Sequence, residues 1–352
     1  MCKFGNTYEG VLALKVLCIG GTGTISSAIS ALAAEKGFEL YLLNRGNRTG
    51  FVPDGARVIT ADINDEEKVR KCLEGLTFDV VADFIAFDTG HVERDYRLFK
   101  DRTRQYIFIS SASAYQKPLS SPFITESTSL ANPYWEYSRN KIACEEYLIR
   151  KYREDGFPVT IVRPSHTYGN TSIPTALHGN KGSFSVIERI RKGKKVIVHG
   201  DGSSLWTVTY NKDFAKAFIG LMGNPHALGE AYHITSDESL TWNQIYETIG
   251  AALGVKTRIV HIPSDVLGLL NPVFTGGLTG DKANTVIFDN TKIKRTVPGF
   301  VAETRFDQGV RYALEYIYSH PECQIQDPEF DAWCDRVIEI YEESITRLPR
   351  YE

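Results

Sequence analysis

The sequence predicts an α/β protein in which a doubly wound parallel sheet is accompanied by a second, smaller lobe. Three observations support this prediction. The first half alternates short apolar runs with helical patterns, a glycine-rich turn follows the first run, and the second half is less regular. Alternation of strands and helices builds a parallel sheet with helices on both faces. A chain of 352 residues is long enough for such a sheet and a second lobe.

The individual elements follow in chain order. Strands are expected at residues 14–19, 39–43, 57–60, 80–85, 105–109, 159–163, 196–199, 231–234 and 258–262. Helices are expected at residues 26–36, 65–73, 90–100, 137–154, 183–192, 211–221, 241–253 and from 328 onward. Gly37 ends the first helix. Thr241 is expected to cap a later helix, with Gln244 completing a capping box.

Composition and charge argue against several classes of protein. Apolar residues make up 42% of the chain and charged residues 24%, and the net charge is -3. A slightly acidic chain is not expected to bind nucleic acid, and a membrane span would need an apolar run of about 18 residues that the sequence lacks. The polar residues 1–8 do not resemble a signal peptide. Six cysteines without a C-x-x-C pair indicate reduced thiols and a cytoplasmic location.

A glycine-rich turn after the first strand is the first candidate site. Gly20 and Gly23 allow backbone N–H groups to approach a pyrophosphate, and Thr24 and Ile25 open the following helix. This arrangement is typical of a Rossmann-type dinucleotide site. Ser26 stands where a third glycine is usual, and it is small enough for close helix–strand packing. The alternative is a glycine-rich turn that binds no ligand.

The end of the second strand bears on the choice of cofactor. An NAD site usually has an acidic residue here for the ribose 2′-hydroxyl, whereas this chain has Asn44, Arg45 and, nearby, Arg48. A guanidinium suits a 2′-phosphate, so the sequence favours NADP over NAD. Asp62 is a candidate acceptor for the adenine amino group. Alternatively, the arginines are solvated loop charges and Asp62 is a turn residue.

A second group of residues has the chemistry needed to move a proton at a carbinol carbon. Tyr137 and Lys141 are four residues apart on one predicted helix and share a face. A nearby ammonium lowers the pKa of a phenol, which favours general acid–base work. Ser111 follows a parallel strand, where ligands of open sheets bind. Because Y-x-x-x-K pairs are common by chance, the alternative is a surface helix pair, and Ser110 and Ser113 are competing hydroxyls.

Taken together, these residues resemble the extended short-chain dehydrogenase/reductase superfamily, in its NAD(P)-dependent sugar epimerase/dehydratase group. The resemblance covers residues 15 to about 300. Its motifs are Ser110 to Tyr115 after a strand, the Tyr137–Lys141 pair, Arg163-Pro164 with Tyr168-Gly169, His199 to Gly202, and Asp213 to Ala215. The resemblance implies that Ser111, four residues before a tyrosine, is the catalytic serine.

The resemblance also implies the domain organisation and the partners. A Rossmann domain is expected at residues 12–170, with 207–236 returning to it. A substrate-binding lobe is expected at 171–206 and 237–320, followed by a C-terminal helical extension at 321–352. Lys141 and Arg163 are expected to border the cofactor. Members of the family often form dimers through a four-helix bundle, so a homodimer is expected.

The chain departs from the family in two places that bear on the substrate. Ala112 and Ser113 follow Ser111 where dehydratases of the family have Asp-Glu, so 4,6-dehydration is disfavoured. Trp206 stands where nucleotide-sugar enzymes carry an arginine for the diphosphate. An indole has a single N–H and no charge, but it can stack on a sugar ring. We therefore expect Ser113, Trp206 and His166 to contact a sugar-like substrate, with a nucleoside-diphosphate sugar in doubt.

The sequence thus predicts an NAD(P)-dependent oxidoreductase or epimerase that acts on a hydroxyl or ketone centre of a sugar-like substrate. One alternative is a catalytically silent dinucleotide-sensing or RNA-binding protein on the same fold, as in an atypical branch of the superfamily that has lost the catalytic residues. Another is a structural protein with a vestigial pocket. His178, His199 and His233 lack metal-ligand spacing, so no metal site is expected.

Overall fold

The computed structural model describes residues 13–351. The predictions for the polar residues 1–8 and Cys2, and the domain limits at residues 12 and 352, lie outside this range. Within it, the five cysteines are free thiols.

The fold is built on a seven-stranded parallel sheet. The strands of the chain are β1 (Lys15–Ile19), β2 (Glu39–Asn44), β3 (Arg57–Thr60), β4 (Val80–Asp83), β5 (Tyr106–Ile109), β6 (Phe123–Ile124), β7 (Val159–Pro164), β8 (His166–Tyr168), β9 (Lys195–His199), β10 (Leu205–Trp206), β11 (Val208–Tyr210), β12 (Ala231–Ile234), β13 (Leu240–Thr241), β14 (Arg258–Ile262) and β15 (Ile287–Phe288). The main sheet has the order β12-β7-β5-β4-β1-β2-β3. The strand order reverses between β1 and β4, which is where ligands bind in such sheets.

Helices cover both faces of the sheet, which confirms the predicted Rossmann-type α/β class. They are α1 (Thr24–Glu35), α2 (Glu66–Cys72), α3 (Thr89–Phe99), α4 (Glu136–Asp155), α5 (Phe184–Arg191), α6 (Asn211–Leu221), α7 (Trp242–Ala252), α8 (Ser264–Leu270), α9 (Val273–Gly277), α10 (Thr291–Thr296), α11 (Phe306–Ser319) and α12 (Pro328–Thr346). Side chains of α1, α6 and α10 pack on one face, and those of α2, α3 and α4 pack on the other.

Alternation along β1 shows how the sequence produces these layers. Val16 and Cys18 point into the core beneath α1 and α6, whereas Leu17 and Ile19 point into the core beneath α2 to α4. All four side chains are fully buried, as expected for a strand with helices on both sides. A separate apolar core lies in the second lobe, where α5, α7, α11 and α12 pack with β9 and β11.

Local signals placed several boundaries correctly. Thr241 caps α7 and forms a capping box with Gln244, as predicted. The sequence analysis assigned nothing to residues 263–327, where the structure has α8 to α11 and β15. Three of these four helices have five to seven residues, too short to be stable alone or to show a clear period. Their stability comes from tertiary packing.

Candidate active site

The glycine-rich turn between β1 and α1 has the geometry that only glycine tolerates. Gly20 and Gly21 have φ values of +102° and +52°. A Cβ on Gly20 would lie 3.0 Å from Cγ2 of Ile85, beyond the neighbouring strand β4. Ser26 sits at the predicted third-glycine position, where its Oγ accepts a hydrogen bond of 2.8 Å from the Gly23 N–H. The Ser26 side chain therefore fixes the conformation of the turn through a hydrogen bond within the turn itself.

A cleft of about 460 Å³ lies above this turn. Its walls include the predicted cofactor residues Gly20, Gly23, Asn44, Arg45 and Asp62. An adjoining cavity of about 350 Å³ includes Gly23 and Thr24. The side chain of Ile25 packs against the core, so only its backbone faces the turn. A dinucleotide fits these residues, because the first turn of α1 offers free N–H groups to a pyrophosphate.

The far end of the cleft carries the residues expected to select the cofactor. Asn44 Oδ1 accepts a hydrogen bond of 2.8 Å from the Gly46 N–H, which fixes the loop. Arg45 and Arg48 are exposed and line the cleft. Asp62 is also exposed, and its Oδ1 accepts a hydrogen bond from the Asn64 N–H at 3.0 Å. The two guanidiniums remain accessible to an anion.

The three candidate serines after β5 occupy different environments. Ser110 is buried and donates a short hydrogen bond to Glu145. Ser113 is also buried; its hydroxyl is 2.8 Å from that of Ser111 and accepts a hydrogen bond of 2.8 Å from Ser138. Ser111 is only half-buried. Ser113 therefore positions the Ser111 hydroxyl through the hydrogen bond between them. The expected contact of Ser113 with substrate is not supported.

Tyr137 lies in the first turn of α4, where its aromatic neighbour is Trp135. Its ring is 4.9 Å from that of Trp135, centroid to centroid. Burial raises the pKa of Tyr137 above its usual value, and the nearby Ser111 hydroxyl opposes this rise.

Lys141 lies one turn further along α4 and is buried, with 2% of its surface exposed. Its Nζ donates to the carbonyl oxygens of Ala86 at 2.6 Å and Ile109 at 2.7 Å. The ammonium also lies 4.8 Å and 4.9 Å from the ring centroids of Phe108 and Phe87. Burial lowers the pKa of Lys141 to about 8. One of its three N–H groups remains for another acceptor.

The expected effect of Lys141 on Tyr137 needs correction. The sequence predicted that Lys141 lowers the pKa of the Tyr137 phenol, whereas in the structure burial raises this pKa. The Lys141 Nζ is 5.8 Å from the centroid of the Tyr137 ring and is directed to backbone carbonyls. Desolvation of the phenol therefore outweighs the nearby charge.

Arg163 was expected to border the cofactor, and the structure gives it a different role. Its guanidinium forms a buried fork with Glu145, with Nη2 to Oε2 at 2.6 Å and Nε to Oε1 at 2.9 Å. Nη1 donates to the Glu126 carbonyl at 3.2 Å, and the guanidinium lies over the Tyr115 ring. Because its donors are committed to protein groups, Arg163 stabilises α4 against β7.

Trp206 and His166, both expected to contact substrate, are placed in different surroundings. Trp206 is 3% exposed and stacks on Trp242 with 6.0 Å between ring centroids. It therefore packs in the core of the second lobe and does not face a ligand. Burial and the charges of Lys282 and His178 lower the pKa of His166 to about 3, which keeps its imidazole neutral beside these two residues.

A further cavity, of about 610 Å³, has Trp135, the aromatic neighbour of Tyr137, in its wall. Its walls include Trp135, Phe274, Lys282 and Trp333. Trp135 directly precedes α4, and the other three residues were not predicted from the sequence. Phe274 and Lys282 come from the short elements around α9, and Trp333 comes from α12. No local motif marks these residues, because only the fold brings the three segments together.

Within residues 13–351, no three His, Cys, Asp or Glu side chains are grouped so that they could hold a metal ion. Over the same residues, every helix is too short or too polar to cross a membrane.

The fold and the site define a class: a Rossmann-type α/β protein with an open dinucleotide cleft and a Ser–Tyr–Lys group at the carboxyl ends of its strands. Residues 96–235 match the model of the NAD dependent epimerase/dehydratase family. The chain is 24% identical over 253 residues to 2′-dehydrokanamycin reductase of Streptomyces kanamyceticus, covering 72% of this chain and 70% of the relative.

Two other similar proteins have names that describe different functions. The chain is 25% identical over 261 residues to the chloroplast stem-loop binding protein of 41 kDa b of Arabidopsis thaliana, covering 70% of this chain and 65% of that protein. A dTDP-glucose 4,6-dehydratase from Bacillus anthracis, solved with NAD, has a TM-score of 0.71 at 19% identity, with 88% of this chain and 98% of that one covered. This last likeness shows the fold alone.

The chain is thus similar to the NAD dependent epimerase/dehydratase family over residues 96–235, which is less than half of its length. The match to the family model begins in α3 and ends just after β12, so it includes Ser111, Tyr137 and Lys141.

Proposed function

We propose that the protein is an NAD(P)-dependent oxidoreductase or epimerase acting on a hydroxyl or ketone centre of a sugar-like substrate. The observation that supports this most directly is the hydrogen bond of 2.7 Å from the Lys141 ammonium to the Ile109 carbonyl, since it ties the helix that carries Tyr137 to the strand end that carries Ser111. Lys141 lies behind them, and the dinucleotide cleft opens beside them between β1 and β4.

In the proposed reaction the protein handles the proton. Because burial raises the pKa of Tyr137, the phenol is neutral at pH 7 and can donate its proton to a carbonyl oxygen. Ser111 holds that oxygen through a second hydrogen bond. When bound, the nicotinamide dinucleotide supplies or accepts the hydride. In the oxidative direction the base is the deprotonated Tyr137 phenolate, which takes the proton from the substrate hydroxyl and returns to the neutral phenol.

We further propose that NADP is preferred to NAD. Arg45 and Arg48 line the cleft at the end of β2, where a 2′-phosphate would lie, and no acidic side chain follows β2 directly. Asp62, at the end of the next strand, is exposed and could accept the adenine amino group. A homodimer and a cytoplasmic location remain predictions from the sequence.

An RNA-binding role, suggested by the chloroplast relative, is less well supported by the charges. The basic cluster at residues 189–195 is paired with acidic side chains. Arg189 bonds to Asp331 and Asp335 at 2.6 and 2.7 Å, and Lys194 bonds to the same two carboxylates at 2.8 Å. Cations neutralised in this way offer little to a phosphate backbone.

The test of the proposed function separates chemistry from cofactor binding. Tyr137→Phe removes the proton donor, so NADPH-dependent turnover should fall by about 10²–10⁴-fold, while NADPH affinity by calorimetry stays within twofold. Unchanged turnover would refute the role of Tyr137. The dinucleotide content of the purified protein, measured by absorbance and mass, then distinguishes an epimerase, which retains cofactor, from a reductase, which exchanges it.

A further inference from the structure

The 610 Å³ cavity that has Trp135 in its wall is built from four separate parts of the chain. Trp135 precedes α4, Phe274 and Leu278 come from the segment around α9, and Phe330 and Trp333 come from α12. Residues 176–180, which follow β8, complete the wall. Large aromatic side chains therefore face one another across a space of ligand size.

Trp135 forms the wall nearest the reacting groups and is held in place by two glycines. A Cβ on Gly276 would lie 2.3 Å from Cδ1 of Trp135, and one on Gly280 would lie 3.1 Å from Cβ of Trp135. Any larger residue at position 276 would displace the indole. The Tyr137 ring is 4.9 Å from that of Trp135, centroid to centroid, so the same indole contacts the phenol and forms part of the cavity wall.

The wall of the cavity opposite Trp135 is formed by α12. Several contacts fix the position of this helix. The Trp333 ring lies 5.7 Å from Phe274 and 5.8 Å from Phe330, centroid to centroid. Asp327 caps the helix, and its backbone N–H donates to Ser185 at 2.6 Å. The buried guanidinium of Arg189 holds the next turns through Asp331 and Asp335. The aromatic surface is thus preorganised.

Polar groups surround this aromatic surface without making it a strong anion site. The polar side chains on the walls are His178, Asn180, Asn271, Lys282, Asp327 and Glu329. Among the described wall residues, Lys282 is the one lysine and there is no arginine, and burial lowers the pKa of Lys282. The carboxylates of Asp327 and Glu329, on the same walls, offset the positive charge of Lys282. A diphosphate is usually held by several cations, above all arginine, so the cavity is poorly matched to a nucleoside diphosphate.

We propose that this cavity is a subsite for a second, uncharged sugar ring, so that the substrate is a glycoside with its reacting ring at Tyr137. This deepens the proposed function and rests on it for the reacting ring. The apolar face of the second ring stacks on Trp135 or Trp333. Its hydroxyls bond to the surrounding amides, the Lys282 ammonium and the Glu329 carboxylate.

The test measures binding and needs no turnover. Calorimetry in the presence of saturating NADPH compares cellobiose, maltose and lactose with glucose and galactose, and with UDP-glucose. At least one disaccharide should bind about tenfold or more tighter than its component monosaccharide. UDP-glucose should bind no more tightly than that disaccharide.

Variants then locate the second ring. Trp333→Ala should reduce the disaccharide preference to about one while leaving NADPH affinity unchanged, and Gly276→Ala should reduce it by displacing Trp135. Ile340→Ala is the matched control, because Ile340 is on α12 and 55% exposed. If circular dichroism shows Trp333→Ala to be unfolded, Trp333→Leu replaces it.

Two results would overturn the proposal. One is the absence of a preference for any of the three disaccharides over its monosaccharides. The other is tightest binding of UDP-glucose, abolished by Lys282→Met, which would make the cavity an anion site. Failure of the proposed function looks different: disaccharide preference persists while no sugar substrate is turned over with NADPH.

Discussion

The Lys141 ammonium donates a hydrogen bond of 2.7 Å to the carbonyl oxygen of Ile109, the last residue of β5. Ser111 follows two residues later. The same ammonium bonds to the Ala86 carbonyl beyond the end of β4. Lys141 therefore ties α4, which carries Tyr137, to the strand end that carries Ser111. Its buried charge therefore organises the site through two backbone carbonyls.

A first prediction concerns pH. Because burial lowers the pKa of Lys141 to about 8, the ammonium should be lost as pH rises through about 8, and kcat should fall there. The fall should not reflect unfolding. Between pH 8 and the usual lysine pKa the unfolded chain binds more protons, so the stability contributed by this group rises with pH. Chemical denaturation and kcat measured from pH 6 to 10 check both trends.

Lys141→Met provides the matching variant. It should lower kcat across the whole range and remove the fall near pH 8. A profile that keeps this fall in Lys141→Met would assign it to another group.

A second prediction separates Arg163 from the cofactor. Its pair with Glu145 is buried, with side-chain exposures of 6% and 4%. Arg163→Met would leave an unpaired buried carboxylate, so the free energy of unfolding should drop by about 3–5 kcal/mol. The NADPH affinity of the folded protein should not change. Arg163→Met combined with Glu145→Met should recover much of the stability, as measured by urea denaturation.

Arg150→Met, on the exposed side of α4, is the control for this experiment. A loss of NADPH affinity in Arg163→Met without a loss of stability would restore Arg163 to the cofactor site.

A third prediction tests the preference for NADP. Arg45→Ala and Arg48→Ala should each weaken NADPH binding by about 10–100-fold, since a hydrogen bond to a charged group contributes about 1.5–3 kcal/mol. NADH binding should change little. Arg57→Ala serves as the control, because Arg57 is paired with Glu39 at 3.0 Å on the neighbouring strand. Equal losses for both cofactors would show that these arginines do not read the 2′-phosphate.

A fourth prediction concerns Asp281, a buried carboxyl near Tyr137. Burial raises its pKa to about 6, opposed by Lys282 and Lys117. With the folded pKa above the unfolded value, this group favours folding below about pH 4, and that contribution is lost as pH rises through 6. Asp281→Asn should therefore stabilise the fold at pH 8 by roughly 2 kcal/mol and change little at pH 4.5.

Thermal unfolding at the two pH values measures this effect. Asp289→Asn is the opposite control, since its exposed carboxylate accepts a hydrogen bond from Thr291 and its pKa is lowered. A destabilised Asp281→Asn at pH 8 would show that the charged form of Asp281 is needed by its lysine neighbours.

The comparison of sequence and structure shows where local signals are sufficient. The β1–α1 turn, the position of Ser111 just after β5 and the cap of α7 were predictable, because each depends on residues close in sequence or on a strand end whose place in the sheet is fixed. Arg163 and Trp206 were misplaced for a common reason. Their motifs fix their position along the chain, whereas their burial depends on Glu145 and Trp242, which no pattern links to them.

The sequence by itself determined the class of sheet, the dinucleotide turn and the Ser–Tyr–Lys group, since periodicity, glycine spacing and helix register are local properties of a chain. Only the tertiary structure decided the ionisation of Tyr137 and Lys141, because desolvation depends on everything packed around a side chain. The aromatic cavity likewise depends on the tertiary structure alone. Trp135 and Trp333 are nearly two hundred residues apart, and packing of α12 on the second lobe is what brings them to the same cavity.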